Sequence, residues 1–164
     1  MRCCAPPPQG ADDARSIAAA DRTGARTLGY ALTDSPAGLA AWIVEKFRTW
    51  SDCDGDLERV FTRDELLTNV MLYWATGAIG SSFWPYYARA HEGWPLPDGA
   101  YIEVPTAYLA FPREIYRPPR AWAERTFRIQ RWTAAPRGGH FAGLEQPDTL
   151  ARDLREFFRP FRHG

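Results

Sequence analysis

Lysine is nearly missing from this chain: Lys46 is the single one among 20 basic residues, and the arginine excess carries no functional weight. Cysteine is scarce and odd in number. Cys3, Cys4 and Cys53 offer neither a disulfide framework nor the paired Cys/His spacing of a zinc site, which leaves free thiols and no expected metal or cofactor. Net charge is absent too, because 20 acidic residues balance the 20 basic ones at pI ≈ 6.8. Without a run of like charge there is no stripe to neutralise phosphates, so nucleic acid is not an expected partner. No apolar stretch reaches the roughly eighteen residues of a membrane span, and no apolar core follows a basic start. A cytoplasmic location without membrane attachment is the expectation.

What is present suits a folded domain: 164 residues, 45% hydrophobic and 14% aromatic. Residues 1–27 are the exception. They mix Pro, Ala, Asp and Arg with Ile17 as the only large apolar side chain between Met1 and Thr27, too little to offset the entropy of ordering, so a disordered leader is expected. Residues 28–99 read as helical. Ser35 can cap a helix with Pro36 in its first turn, and Leu39, Trp42, Ile43, Phe47 and Trp50 follow at helical spacing. Thr62 and Glu65 have capping-box spacing before the apolar face Leu66, Leu67, Val70, Met71 and Trp74, and Gly77 and Gly80 should stop that helix.

Residues 100–164 change character. Tyr101–Ala110 and Phe127–Ala134 read as strands, the first weakened by Pro105, with a short helix opening at Pro118-Pro119 between them. A helix from Pro147 turns Leu150, Leu154, Phe157, Phe158 and Phe161 one way. Strands joined through a helix pair in parallel, and parallel strands normally lie within a wider sheet. The chain therefore reads as an α/β piece whose apolar faces call for a further surface.

Two positions stand out chemically. His140, in Arg137-Gly138-Gly139-His140-Phe141, lies on a glycine loop between the last strand and the last helix. Glu114, in Phe111-Pro112-Arg113-Glu114, follows the preceding strand 26 positions earlier. An acid and then a histidine after successive strands is the order in which α/β-hydrolases present the last two members of their triad. Asp52, Asp54, Asp56 and Glu58 briefly resemble a calcium loop, but position twelve from Asp52 is Arg63, so a solvated turn is expected.

The strings DSPAGLAAWIVEKFRTWSD, MLYWATGAIGSS, FPREI and RGGHFAGLEQP, taken together and in order, resemble the epoxide hydrolases of microsomal and juvenile-hormone type and their bacterial relatives. The resemblance spans Leu28 to Arg162 and implies a partial α/β-hydrolase: residues 28–99 as a helical cap segment and residues 100–164 as the C-terminal part of the core, with its last two parallel strands and flanking helices. It implies hydrolysis of a small apolar epoxide to a vicinal diol through an ester formed by an aspartate, with no cofactor. His140 would be the base that activates water, Glu114 its orienting acid, and Tyr86 one of two cap tyrosines that hydrogen-bond the epoxide oxygen.

Departures from the family pattern matter as much. The aspartate elbow and the His-Gly-Trp-Pro oxyanion loop should both precede Leu28, and neither does. The second cap tyrosine falls where this chain has Ile17. His91-Glu92-Gly93-Trp94-Pro95 imitates the oxyanion loop but stands after the cap helices, in a loop before the acid-bearing strand. The expectation is a truncated hydrolase, inactive alone. The alternative is a non-catalytic interaction protein, or half of a split hydrolase that docks on a complementary chain.

Overall fold

The side chain of Ser35 accepts a hydrogen bond from the Gly38 amide at 3.0 Å, as the Ser-Pro pair predicts, and starts the longest helix among the described residues. The computed structural model describes residues 25–92, 96–97 and 99–162. These fall into two units, one of Met1–Thr49 with Cys53–Pro95 and one of Trp50–Asp52 with Leu96–Gly164. Among the described residues no helix is long and apolar enough to cross a membrane.

The first unit is helical, with α1 (Ala25–Asp34), α2 (Pro36–Trp50), α3 (Arg63–Thr76), α4 (Ile79–Ser82) and α5 (Trp84–His91). Residues 1–24 of the expected leader lie outside the described residues, and α1 already begins at Ala25. Leu39, Ile43 and Phe47 recur every four residues along α2 and are buried, Phe47 meeting Phe61 edge-to-face at 5.1 Å. Each such side chain contributes roughly 1.5–3 kcal/mol through burial. At α3 the capping box forms in full: Thr62 Oγ1 accepts from the Glu65 amide, and the Glu65 carboxylate accepts from the Thr62 amide at 2.7 Å.

Three expectations for this unit need correction. Gly77 ends α3 in the left-handed region, at φ 64°, but Gly80 stops nothing and lies inside α4. Gly80 faces α1 instead: a Cβ built on Gly29 would lie in ordinary contact, 3.5 Å from the Gly80 Cα. The apolar face expected of α3 also divides: Leu66 and Val70 are buried and Trp74 partly so, whereas Leu67 and Met71, each about 100° further round the helix, are exposed, as is Leu72 outside the expected face. The acidic run is exposed at Asp54, Asp56 and Glu58, as expected of a solvated turn, and departs from that expectation at Asp52. Asp54 pairs with Arg59, Asp56 accepts from the Glu58 amide, and Glu58 pairs with Arg63, but Asp52 belongs to the other unit. His91 closes α5 with Nδ1 2.8 Å from the Tyr87 carbonyl, while Gly93–Pro95 lie outside the described residues.

The second unit holds β1 (Ile102–Ala110), α6 (Arg120–Ala123), β2 (Phe127–Ala134), α7 (Ala142–Glu145) and α8 (Pro147–Phe158). β1 and β2 pair in parallel, as a strand-helix-strand order requires. Pro105 is accommodated by a register shift between Ile102 and Pro105, where a missing amide does least harm to the ladder. Tyr108 stands opposite Trp132 with the rings stacked at 4.3 Å. Asp153 of α8 is buried and accepts from Arg131 Nε at 2.7 Å and Thr133 Oγ1 at 2.8 Å, pinning the last helix to β2. Leu154, Phe158 and Phe161, read as packing residues, are about half exposed in this unit.

Removing the charge of Asp153 leaves Arg131 and Thr133 under-satisfied, so Asp153→Asn should lower stability by about 1.5–3 kcal/mol, read as a shift of the urea midpoint. The Thr62 amide, and then the Thr62 hydroxyl, hold Glu65 below the usual glutamate range. A carboxylate whose folded-state pKa is depressed contributes stability above its unfolded value and loses it as pH falls through the folded one. Thr62→Ala should move the Glu65 carboxyl titration, followed by 13C NMR, back up towards the ordinary value.

Candidate active site

The site begins where the ladder between β1 and β2 runs out. Ala135 donates to the Ala110 carbonyl at 2.8 Å, and one further parallel bridge joins Arg113 to Gly139, with the Arg113 amide donating to the Gly138 carbonyl at 3.0 Å. Extending the two strand ends side by side brings the two sequence-predicted residues together. Glu114 Oε1 lies 2.7 Å from His140 Nδ1. A carboxylate only accepts, so Nδ1 carries the hydrogen and donates it, and Nε2 of a neutral ring is left with its lone pair. Both side chains are partly exposed, and Glu114 Oε1 also accepts from the Ile115 amide at 2.6 Å.

The charge of Glu114 is felt nearby. Burial, and then Glu114, push the Tyr108 hydroxyl above the usual phenol range, against the opposing effect of Arg117. Tyr108 donates its hydroxyl hydrogen to the Tyr116 carbonyl at 3.3 Å.

The loop that carries His140 is shaped by the absence of side chains. Gly138 has φ 113°, and a Cβ there would lie 2.7 Å from a ring carbon of Phe111 and 2.8 Å from Gln146. At Gly139 a Cβ would lie 2.5 Å from the Trp50 carbonyl oxygen and 3.0 Å from the Ser51 Cα. Two glycines are therefore needed for the loop to pass between Phe111 and the Trp50–Asp52 segment.

Such close passage exposes four successive amides that must find acceptors. Gly138 donates to Asp52 Oδ2 at 2.8 Å, Gly139 to Glu145 Oε2 at 2.9 Å, His140 to the Trp50 carbonyl at 2.9 Å, and Phe141 to Glu145 Oε1 at 2.9 Å. The Asp52 amide is a third donor to Glu145, at 2.8 Å, and Asp52 Oδ1 stands 3.5 Å from Arg113 Nε. The Trp50 ring meets the imidazole edge-to-face at 5.2 Å, bracing it from one side.

Trp50, Asp52 and Glu145 are the residues that motif reading did not single out. Glu145 had a signal, since it stands five positions after His140 in the same string, and a carboxylate beside a glycine loop is a ready acceptor for bare amides. Nothing in the acidic run distinguishes Asp52 from its neighbours. Tyr86 lies on α5 of the helical unit and is exposed. Among the described residues no three or more His, Cys, Asp or Glu side chains gather as metal ligands.

No protein-family model matches the chain. Individual relatives do. The chain is 44% identical over 140 residues to Epoxide hydrolase 1 of Oryctolagus cuniculus, covering 80% of this chain and 31% of that protein. It is likewise 44% identical over 145 residues to Juvenile hormone epoxide hydrolase 2 of Ctenocephalides felis, covering 82% and 31%. In fold it is similar to the juvenile hormone epoxide hydrolase of the silkworm Bombyx mori, with TM-score 0.81, 33% identity, and 89% of this chain on 37% of that one. The Aspergillus niger epoxide hydrolase aligns with TM-score 0.78 and 30% identity over 93% of this chain and 37% of that one. The chain thus spans about a third of the length of the relatives that it matches. Sequence similarity and a shared fold make this chain a member of the epoxide hydrolases of the α/β-hydrolase fold.

Proposed function

We propose that the chain supplies the acid–base part of an epoxide hydrolase, with His140 as general base and Glu114 as its orienting acid. The observation that carries this reading is the 2.7 Å contact between Glu114 Oε1 and His140 Nδ1 at the end of two parallel strands. In the reaction inferred from the family, an aspartate carboxylate attacks an epoxide carbon, the ring C–O bond breaks, and the oxygen takes a proton from a tyrosine, here Tyr86. His140 Nε2 then removes a proton from water, which adds to the ester carbonyl. The tetrahedral intermediate collapses, the bond to the diol oxygen breaks as the proton of the added hydroxyl passes to that oxygen, and the imidazolium returns its proton to the tyrosinate, so the diol leaves and the aspartate, tyrosine and neutral His140 are regenerated. Glu114 stabilises the imidazolium that forms and keeps the tautomer in which Nε2 can accept. The substrate class is a small apolar epoxide.

The aspartate and the oxyanion loop of that reaction have no counterpart identified in these 164 residues. On this reading the segment completes a hydrolase site and does not hold it whole. A second reading, in which it docks on a separately supplied hydrolase chain, is favoured by the exposed Leu67, Met71 and Leu72 of α3.

The 164-residue chain should hydrolyse styrene oxide no faster than its His140→Ala variant; clear single-site turnover would show that nothing further is required. Grafted in place of the corresponding segment of a 44%-identical relative, it should restore epoxide hydrolysis. In that chimaera His140→Ala should lower kcat by about 10²- to 10⁴-fold with little change in KM. An active His140→Ala chimaera would remove the basis of the reading. Activity on mixing the isolated chain with a hydrolase chain that carries the aspartate and oxyanion loop would favour the docking form.

A further inference from the structure

A carboxylate that accepts three backbone amides needs a reason to be where it is. Glu145 is only 8% exposed, and it meets no cation in the contacts described above. Its two oxygens are divided with a purpose that the geometry makes plain. Oε2 takes the Gly139 amide at 2.9 Å and the Asp52 amide at 2.8 Å, and Oε1 takes the Phe141 amide at 2.9 Å. Gly139 and Phe141 are the residues on either side of His140. One side chain therefore holds the backbone immediately before and immediately after the imidazole, and ties both to the segment whose Trp50 carbonyl accepts the His140 amide itself.

We propose that Glu145 is a positioning residue: by clamping the amides that flank His140, its carboxylate sets the angle at which the imidazole meets Glu114. The inference rests on the reading of His140 as a base oriented by Glu114. Three features make an anion the suitable group. Both oxygens must accept, which a glutamine cannot do, because its NH2 would face one of the three N–H groups. Charge-assisted bonds to backbone amides are stronger than neutral ones and are strengthened further by burial. Gly139 already abuts the Trp50 carbonyl and the Ser51 Cα, so the loop cannot adapt to a glutamine NH2 by moving towards that segment. Loss of the clamp would swing His140 while leaving β1 and β2 paired.

Ordinary support of the fold would also place an acceptor here, so the test must read the imidazole and not stability alone. The full chain, labelled with 15N, gives the tautomer of each histidine from long-range 1H–15N spectra, with His140 assigned through His140→Ala. In the unmodified chain neutral His140 should be mainly the Nδ1–H tautomer. Glu145→Gln should abolish that dominance and speed amide exchange at Gly139 and Phe141 by about tenfold or more. Asp153→Asn, which weakens the same unit elsewhere, should lower stability without moving the tautomer. A Glu145→Gln chain that keeps the Nδ1–H tautomer would overturn the positioning role and leave the acid–base pair standing. Absence of that tautomer from the unmodified chain would instead sink the pair itself, and the positioning role with it. Should Glu145→Gln fail to fold, Glu145→Asp decides by the same spectra: its shorter arm cannot span the three amides, and an unchanged tautomer there also overturns the proposal.

Discussion

A buried acceptor for exposed backbone amides is the constraint on which this structure turns. The Gly138-Gly139 pair lets the chain slip between the Phe111 ring and the Trp50–Asp52 backbone, and in doing so strips four consecutive N–H groups of water. Each would cost about 1–3 kcal/mol if left without a partner. Two carboxylates and one carbonyl meet all four, and the direction of the His140 side chain follows from that arrangement. The acid–histidine contact is thus the outcome of backbone satisfaction around it as much as of attraction between the two groups.

Parallel pairing does the remaining work. Because β1 and β2 run the same way, the segments that follow them leave at the same edge, and a single extra bridge between Arg113 and Gly139 is enough to align Glu114 with the loop. An antiparallel pair would send these two segments to opposite ends of the ladder. The Tyr108–Trp132 stack and the Asp153 anchor on β2 keep the short ladder from twisting freely beneath the site.

Much of this could be read from residue order. Thr62 and Glu65, Ser35 and Pro36, both strands and the Glu114–His140 pair all announce themselves through local chemistry: caps, alternation, and glycines beside a histidine. What stayed hidden depends on partners far along the chain. Asp52 looks like its acidic neighbours until the Gly138 amide is set against it, 86 positions away. Gly80 reads as a stop because a lone glycine carries no sign of the helix that packs on it. Leu67 and Met71 share the helical period of Leu66 and Val70, and period alone does not tell which stripe of a wide apolar face turns inward. Family resemblance pointed to His140, Glu114 and Tyr86 by role, yet roles name the groups that react and pass over those, such as Glu145, that hold them still.

The Asp52–Glu145 hydrogen bond joins residues 93 positions apart. Closing so long a stretch of chain carries an entropic penalty that grows only slowly with length but cannot be recovered until the contact itself forms. The imidazole's surroundings are therefore assembled late: a chain that has paired its strands and wound its helices still lacks an ordered histidine loop until the Trp50–Asp52 tripeptide arrives. Unfolding runs the same path backwards, so the loop is the first region expected to loosen when conditions turn harsh, while the ladder beneath it survives.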